Sequence, residues 1–119
     1  MKTNETILRW IELFNRGNAE KLAELYHEDA IMHQMVYGPV KGREAIKRML
    51  SAGFKTTRMT SVPEQIIETE QWVVLEWKDS AGVKGCSIFY VCNGRIKIQR
   101  AYWDKLTFLK KHKLPLPPN

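Results

Sequence analysis

The sequence predicts an α+β fold in which helices come first and a mostly antiparallel sheet follows. Between residues 4 and 53, apolar side chains recur at helical spacing in three segments. Between residues 57 and 103, four runs are rich in Val, Ile, Trp, Tyr and Thr, a composition typical of strands. Because these runs follow one another through short turns, they should form a meander with the helices packed on one face.

The N-terminal half contains three predicted helices and one predicted strand. The first helix starts at Asn4 and ends before Gly17, which is placed as a C-terminal cap. Asn18 should cap a second, shorter helix, and a third helix opens at Gly42 and is followed by Gly53. The strand lies between the second and third helices, over "DAIMHQM". The apolar side of the first helix consists of Ile7, Trp10, Ile11 and Phe14.

The C-terminal half contains the four strand-like runs, which are "TRMTSVPEQIIET", "QWVVLEWK", "VKGCSIFYVC" and "RIKIQRAYW". Asn93-Gly94 is the strongest short hairpin signal, so a tight turn should join the last two runs. Pro63 marks an edge or a bulge in the first run. Asp104 directly precedes "KLTFLKKH" and should cap a final helical turn.

Length and composition predict one ordinary globular domain over residues 1–119. The net charge is +6, but the cations are scattered without a nucleic-acid motif, so nucleic-acid binding is not expected. No apolar run approaches the roughly 20 residues that span a bilayer, and the N-terminus lacks a signal-peptide core. Cys86 and Cys92 lie about 20 Å apart along one predicted strand, too far for a disulfide. These features predict a reduced, cytoplasmic protein without a membrane segment.

The run "QWVVLEWK" carries large apolar residues on both faces of its strand. Trp72, Val74 and Glu76 point one way, and the residues between them point the other. One face should pack on the helices, while the other would leave large apolar side chains in water, which usually marks an interface. We therefore predict a homodimer that forms through the outer face of the sheet.

Three segments resemble the nuclear transport factor 2-like superfamily of cone-shaped (cystatin-like) α+β domains: "RWIELFNRGNAEKLAELYHEDA", "GPVKGREAI" and "GRIKIQRAYWDK". Within it, the chain is most similar to the ketosteroid-isomerase and SnoaL-like polyketide-cyclase branch, with limonene-epoxide hydrolase as a more distant relative. The resemblance implies a deep, mostly apolar pocket between the helices and a strongly curved sheet, able to bind a small apolar molecule. The implied lining includes Trp10, Phe14, Tyr26, Gln34, Val74, Glu76, Ser87, Phe89, Gln99, Ala101 and Trp103.

The resemblance does not extend to the residues that carry the isomerase reaction. Ketosteroid isomerases use an Asp base, with a Tyr and a protonated Asp as oxyanion donors. The matching positions here are Gln34, Trp10 and Ser87. Because the Gln34 amide cannot take a proton and the Trp10 indole is only a weak donor, the steroid-isomerase mechanism is not expected.

The resemblance to the epoxide hydrolase leaves a partial set of polar groups. That reaction needs an Arg and two Asp to activate a water molecule, which a Tyr and an Asn also hold. The corresponding positions here are Val74, Glu76, Ala101, Met32 and Gln34. One carboxylate and one amide remain, without the arginine and the second acid.

Glu76 is therefore the predicted acid or base, for an isomerisation, cyclisation, dehydration or hydrolysis. Burial among large apolar residues would disfavour its charged form, the tuning that such a group requires. Gln34 and Gln99 would orient the bound molecule by hydrogen bonds. Two alternatives remain open: Glu76 lies exposed or paired to a cation, and the protein is a non-catalytic ligand-binding or dimerisation module.

No metal site or cofactor is predicted. His27, Asp29 and His33 could be imagined as ligands, but their spacing matches no known metal-binding pattern. His33 should instead point away from the pocket, because it neighbours Gln34 on a strand.

Overall fold

The computed structural model describes residues 2–118. Within them, two helices precede the first strands, a third helix follows, and four strands and a last helix complete the chain. This order confirms the predicted α+β class. The elements are α1 (Thr3–Asn15), α2 (Ala19–Ala23), β1 (Tyr26–Gln34), β2 (Pro39–Lys41), α3 (Arg43–Thr56), β3 (Val62–Thr69), β4 (Trp72–Lys78), β5 (Lys84–Cys92), β6 (Arg95–Trp103) and α4 (Lys105–Lys111).

The strands form a six-stranded sheet in the order β2-β1-β6-β5-β4-β3. All neighbours pair antiparallel except β1 and β6, which are parallel. The predicted turn joins β5 to β6, and its residues Asn93 and Gly94 both have positive φ, at 52° and 76°. A two-residue hairpin turn requires this conformation, which Asn and Gly adopt more readily than other residues.

Helices α1 and α3 pack on one face of the sheet, here called the inner face. Their apolar residues recur every three to four positions, so each helix presents a single stripe to the sheet. The shared core consists of Ile7, Trp10, Ile11, Leu13, Leu22, Leu25, Tyr26, Ala30, Met32, Ile46, Leu50, Val73, Leu75, Phe89, Val91 and Ile96. The inner-face residues of neighbouring strands therefore determine what lies beneath the helices.

The two faces of β4 are the reverse of the sequence prediction. Leu75 pairs with Ser87 of β5, and Glu76 pairs with Cys86. Residues directly opposite one another in a sheet share a face, so the buried, inward Ser87 places Leu75 inside and Glu76 outside. The inner face thus receives Val73, Leu75 and Trp77, and the outer face receives Trp72, Val74 and Glu76.

Helix α3 and strand β2 also differ from the prediction. Helix α3 continues through Gly53 to Thr56, because one glycine inside a helix costs only about 1 kcal/mol and does not by itself end it. Strand β2 was not predicted, since three residues that include Pro39 carry little strand signal. It pairs with the end of β1 and brings the chain into α3.

The outer face of the sheet carries partly exposed apolar side chains. Trp72 packs against Tyr90 with ring centroids 4.8 Å apart, and the Arg100 guanidinium lies 5.8 Å from the Trp72 ring. Ile67 and Tyr102 are exposed on the same face. Dimerisation through this surface stays a prediction. No helix within residues 2–118 has the length and apolar character needed to cross a membrane.

Candidate functional site

A cavity of about 430 Å³ lies between the inner face of the sheet and the helices. Strands β1, β5 and β6 form its floor, α1, α3 and the segment 57–61 form its walls, and α4 with the following residues covers it. Its volume falls within the range of small-molecule sites, about 300–1,000 Å³. The large apolar lining residues are Trp10, Phe14, Met32, Met49, Leu50, Met59, Trp77, Trp103, Phe108, Leu109 and Leu114.

Helix α4 is held over the cavity by its N-cap and by aromatic contacts. The Asp104 side chain accepts a hydrogen bond from the backbone N–H of Thr107 at 2.9 Å, as predicted for the cap. Phe108 then packs on Trp103 with ring centroids 5.0 Å apart. Phe108 and Leu109 both line the cavity and stay only partly buried. A molecule bound beneath α4 would therefore bury them further.

A buried hydrogen-bond chain runs from α1 through β1 to β6. The Trp10 Nε1–H donates to the Tyr26 hydroxyl oxygen at 2.8 Å, and the Tyr26 hydroxyl donates to Oε1 of Gln99. This direction follows because an indole N–H can only donate, which leaves the phenol proton for Gln99. Burial raises the pKa of Tyr26 by more than the Trp10 hydrogen bond lowers it, so the hydroxyl keeps its proton at neutral pH.

Two further indoles hold polar side chains on the floor of the cavity. The Trp103 Nε1–H donates to Oε1 of Gln34 at 3.1 Å, and the Trp77 Nε1–H donates to Oγ of Ser87 at 3.0 Å. Trp77 can lie across β5 only because Gly85 has no side chain. A Cβ added at Gly85 would lie 2.3 Å from Cζ2 of Trp77. The bare backbone at Gly85 thus positions a wall of the cavity.

Among the described residues that line the cavity, Asp79 is the one carboxylate. Its Oδ1 accepts hydrogen bonds from the backbone N–H groups of Ala81 and Val83, each at 2.9 Å. Its Oδ2 lies 2.6 Å from Nε2 of His112, and both side chains are more than nine-tenths buried. The pair joins the end of α4 to the turn between β4 and β5.

A second depression, shallow and polar, lies at the other end of β1. Arg43, Arg95 and His27 each bond there to a backbone carbonyl oxygen, and Lys97 holds the pKa of Asp29 below its usual range. Through these contacts the four basic side chains have structural roles in this region. No group of three or more His, Cys, Asp or Glu within residues 2–118 is arranged to hold a metal ion. The lining is His27, Glu28, Asp29, Arg43 and Arg95.

Most of the residues predicted from sequence as pocket residues surround the cavity. Two others lie directly behind it: Tyr26 bonds to Gln99, and Phe89 packs edge-on against Trp10 with centroids 5.2 Å apart. Their role in binding a ligand stays a prediction. Those that line the cavity are Trp10, Phe14, Gln34, Ser87, Gln99, Ala101 and Trp103.

Val74 and Glu76 do not reach the cavity. Val74 is partly buried on the outer face, and Glu76 is exposed there. The prediction of Glu76 as a pocket carboxylate is therefore wrong, because the pairing of β4 with β5 turns it away from the helices. The alternative in which Glu76 is exposed is the one that the structure supports.

Sequence reasoning missed Trp77, Asp79 and His112. Trp77 was assigned to the other face of β4, and Asp79 belongs to "DSAG", which carries a turn signal and no catalytic motif. His112 lies 33 residues further along the chain. Because no local spacing links Asp79 to His112, only the folded chain reveals the pair.

The sequence matches the family described as SnoaL-like domain over residues 7–98, which is most of the chain. This chain belongs to the SnoaL-like domain family. The comparison with curated proteins gave no significant match. Function must therefore be argued from the residues of this SnoaL-like domain, because one fold supports many activities.

Solved structures share the fold of this SnoaL-like domain. An NTF2-like protein of unknown function from Cytophaga hutchinsonii has a TM-score of 0.79 and 15% identity, covering 92% of this chain and 96% of that one. A hypothetical protein with a ketosteroid isomerase-like fold from Catenulispora acidiphila, in complex with trimethylamine, has a TM-score of 0.82 and 16% identity over 98% and 100%. A protein from Sinorhizobium meliloti proposed to be a polyketide cyclase has a TM-score of 0.75 and 16% identity over 85% and 99%. These similarities confirm the predicted cone-shaped fold.

Proposed function

We propose that this SnoaL-like domain binds a small apolar molecule in the cavity beneath α4. The observation that carries the proposal is the lining of this 430 Å³ space, which is dominated by aromatic, Met and Leu side chains with a few polar groups on the floor. Sites for small molecules have this composition, because apolar walls supply most of the binding free energy and the polar groups orient the ligand.

The centre of the floor is kept open by a small residue. Ala101 of β6 pairs with Gln34 on one side and with Ser87 on the other, so the three lie in one row across neighbouring strands. Ala101 is nearly buried and faces the cavity. A bulky side chain at this position would project into the space between the two polar groups.

Occlusion of the floor tests the proposal. The affinity of the neutral dye Nile red is measured by fluorescence for the wild type, for Ala101→Phe and for Ala52→Phe, which adds the same ring at an exposed position on α3. We expect Ala101→Phe to weaken binding by about ten-fold or more, because the added ring overlaps the ligand space. Ala52→Phe should bind as the wild type does. Equal affinity in Ala101→Phe, with an unchanged circular dichroism spectrum, would place the dye elsewhere and contradict the proposal.

Extraction and mass spectrometry of the purified protein address the natural ligand directly. A small apolar molecule that co-purifies with the wild type and is depleted from Ala101→Phe would identify it. Molecules recovered equally from both variants would not occupy this cavity.

A second candidate is acid–base chemistry on the bound molecule by Asp79 and His112. The observation that favours it is the contact of 2.6 Å between His112 Nε2 and an Asp79 carboxylate that itself lines the cavity. A carboxylate that orients an imidazole is a common general acid–base arrangement. This pair replaces Glu76 as the group on which a catalytic role depends.

Proton abstraction can be tested before any substrate is identified. The protein is incubated with 2-tetralone in D₂O, and exchange at the carbon next to the carbonyl is followed by NMR. Under this candidate, the wild type accelerates exchange, Asp79→Asn and His112→Gln lose the acceleration, and Glu76→Gln retains it. Absence of acceleration by the wild type, when binding of 2-tetralone is shown separately, would leave a binding function alone.

A further inference from the structure

The three polar side chains on the cavity floor share one property: each has its oxygen occupied by a donor from an aromatic residue. Oε1 of Gln34 accepts from Trp103, and Oγ of Ser87 accepts from Trp77. Oε1 of Gln99 accepts from Tyr26. The arrangement is repeated on three different strands, β1, β5 and β6.

The two indoles determine which atoms they face. An indole N–H has no acceptor lone pair in the ring plane, so the atom 3.1 Å from Trp103 Nε1 must be the oxygen of Gln34 and not its nitrogen. The Gln34 amide NH₂ is therefore turned away from Trp103. For Ser87, the Trp77 indole occupies a lone pair of the hydroxyl oxygen and leaves its proton free to donate.

Gln99 is oriented by two steps. Trp10 donates to the Tyr26 oxygen, so the Tyr26 proton is directed to Gln99, which must present its oxygen. Gln99 is only 4% exposed and lines the cavity, and its Nε2 takes part in none of the side-chain hydrogen bonds within residues 2–118. This donor keeps accessible surface, so an acceptor on a bound ligand can bond to it.

The sheet register gives the spacing of these donors. Gln34 and Ser87 flank Ala101 in one row, so their backbones lie about 10 Å apart, two inter-strand steps of about 4.8 Å each. Gln99 lies two residues before Ala101 on the central strand of the three, about 7 Å along it. The donors therefore form a triangle around the open floor at Ala101.

The charge of the lining limits the ligand further. No Lys or Arg is among the described lining residues. Transfer of an ionised carboxylate into such a space would leave its charge without a cationic partner, at high cost. A neutral acceptor, in contrast, can use the free N–H and O–H groups in full.

We infer that the cavity selects neutral apolar molecules bearing acceptor oxygens, carbonyl compounds in particular, through the free donors of Gln34, Ser87 and Gln99. This inference rests on the proposed function, since it concerns the ligand of the same cavity. Tyr26 acts in it as a positioning residue, because it holds the Gln99 amide with its NH₂ towards the ligand.

Three rigid tricyclic probes test the selectivity: 9-fluorenone, which carries a carbonyl acceptor, fluorene, which carries neither an acceptor nor a donor, and carbazole, whose N–H is a donor only. Dissociation constants come from quenching of tryptophan fluorescence. We compare the ratio of fluorenone affinity to fluorene affinity between proteins, because this ratio cancels the different water solubility of the probes. The ratio should fall about ten-fold in Gln99→Leu, the effect of losing one buried hydrogen bond. The control Gln65→Leu makes the same change at an exposed position on β3 and should leave the ratio unchanged.

A measurement on the wild type alone protects the test against a variant that fails to fold. The carbonyl stretching band of bound fluorenone should lie at lower wavenumber than in hexane, as it does when the oxygen accepts hydrogen bonds. The inference is overturned by an unshifted band, by an unchanged ratio in Gln99→Leu, or by tighter binding of carbazole than of fluorenone. In each of these cases, binding of fluorene would still support an apolar site. If none of the three probes binds, the proposed function fails and the inference fails with it.

Discussion

The indole Nε1 of Trp10 donates a hydrogen bond of 2.8 Å to the hydroxyl oxygen of Tyr26, deep in the core of the cone. Through this contact a side chain of α1 sets the direction of the next hydrogen bond, from Tyr26 to Gln99 on the floor of the cavity. Fold stability and the polarity of the candidate site thus depend on the same hydroxyl group. The first prediction follows from this link.

Tyr26→Phe should lower the free energy of unfolding by about 1–3 kcal/mol, because Trp10 Nε1 and Gln99 Oε1 both lose their buried partner. Urea unfolding followed by circular dichroism measures the change. Tyr37→Phe is the control, since Tyr37 is exposed and its hydroxyl has no hydrogen bond to the described residues. Equal stability of Tyr26→Phe and the wild type would contradict the assigned chain of hydrogen bonds.

Glu76→Gln should leave Nile red affinity unchanged, because Glu76 is exposed on the outer face of the sheet. Burial and the negative charge of Glu76 both raise the pKa of the neighbouring Cys86 thiol, burial more strongly. The same substitution should therefore modestly accelerate alkylation of Cys86 near neutral pH, by increasing its thiolate fraction. Loss of dye binding without an effect on Cys86 would indicate that Glu76 faces the cavity after all.

Gly85→Ala should destabilise the protein by about 1–3 kcal/mol, since its Cβ would overlap a rigid indole ring. Displacement of Trp77 should also weaken ligand binding, which fluorescence of the same samples would show. Gly53→Ala is the matched comparison: its Cβ would meet only the flexible end of Met59, and alanine favours the helix. The prediction fails if the two substitutions have the same effect on the free energy of unfolding.

Acidification should loosen α4. Hydrogen bonds from the Thr107 hydroxyl and backbone N–H lower the pKa of Asp104. The pKa of Asp104 is therefore lower in the folded than in the unfolded protein. Its carboxylate stabilises the cap fully at pH values above the unfolded pKa, and this stabilisation is lost as the pH falls through the folded pKa, below about pH 4. Asp104→Asn still caps a helix but does not titrate, so its tryptophan fluorescence should change less with pH in this range. Identical pH profiles for the two proteins would exclude Asp104 as the cause.

The homodimer stays a prediction, now with a defined surface. Ile88 lies at the centre of the outer face, between Val74 and Arg100 on the neighbouring strands. Sedimentation should show a dimer at micromolar concentration for the wild type and a monomer for Ile88→Asp, because a charge in an apolar interface is costly. Leu8→Asp places the same charge at an exposed position on α1 and should remain dimeric. A monomeric wild type would refute dimerisation through this face.

Much of the architecture could be predicted because it depends on local chemistry. Asn18 and Asp104 cap helices in the structure, with side chains that accept backbone N–H groups, as their positions predicted. Asn93-Gly94 forms the predicted turn. The family resemblance predicted Gln34 and Gln99 as lining residues, strand alternation agreed with it for Gln99, and both residues line the cavity.

Strand β4 shows why the rest could not be predicted. Both of its faces are apolar, so alternation described two sets of residues without deciding which set is internal. The decision comes from pairing with β5, which places Leu75 opposite Ser87. Because the inward face of β4 was assigned one residue out of step, Glu76 was predicted at the cavity wall where the structure has Trp77.

The sequence by itself determined the order of the elements, their caps and turns, and the family resemblance, because each depends on residues close together in the chain. Only the tertiary structure decided which face of β4 meets the helices, that Asp79 contacts His112, and that aromatic donors occupy the oxygens of Gln34, Ser87 and Gln99. These relationships join residues far apart in the chain, so their physical basis is strand register and packing, which local patterns do not contain.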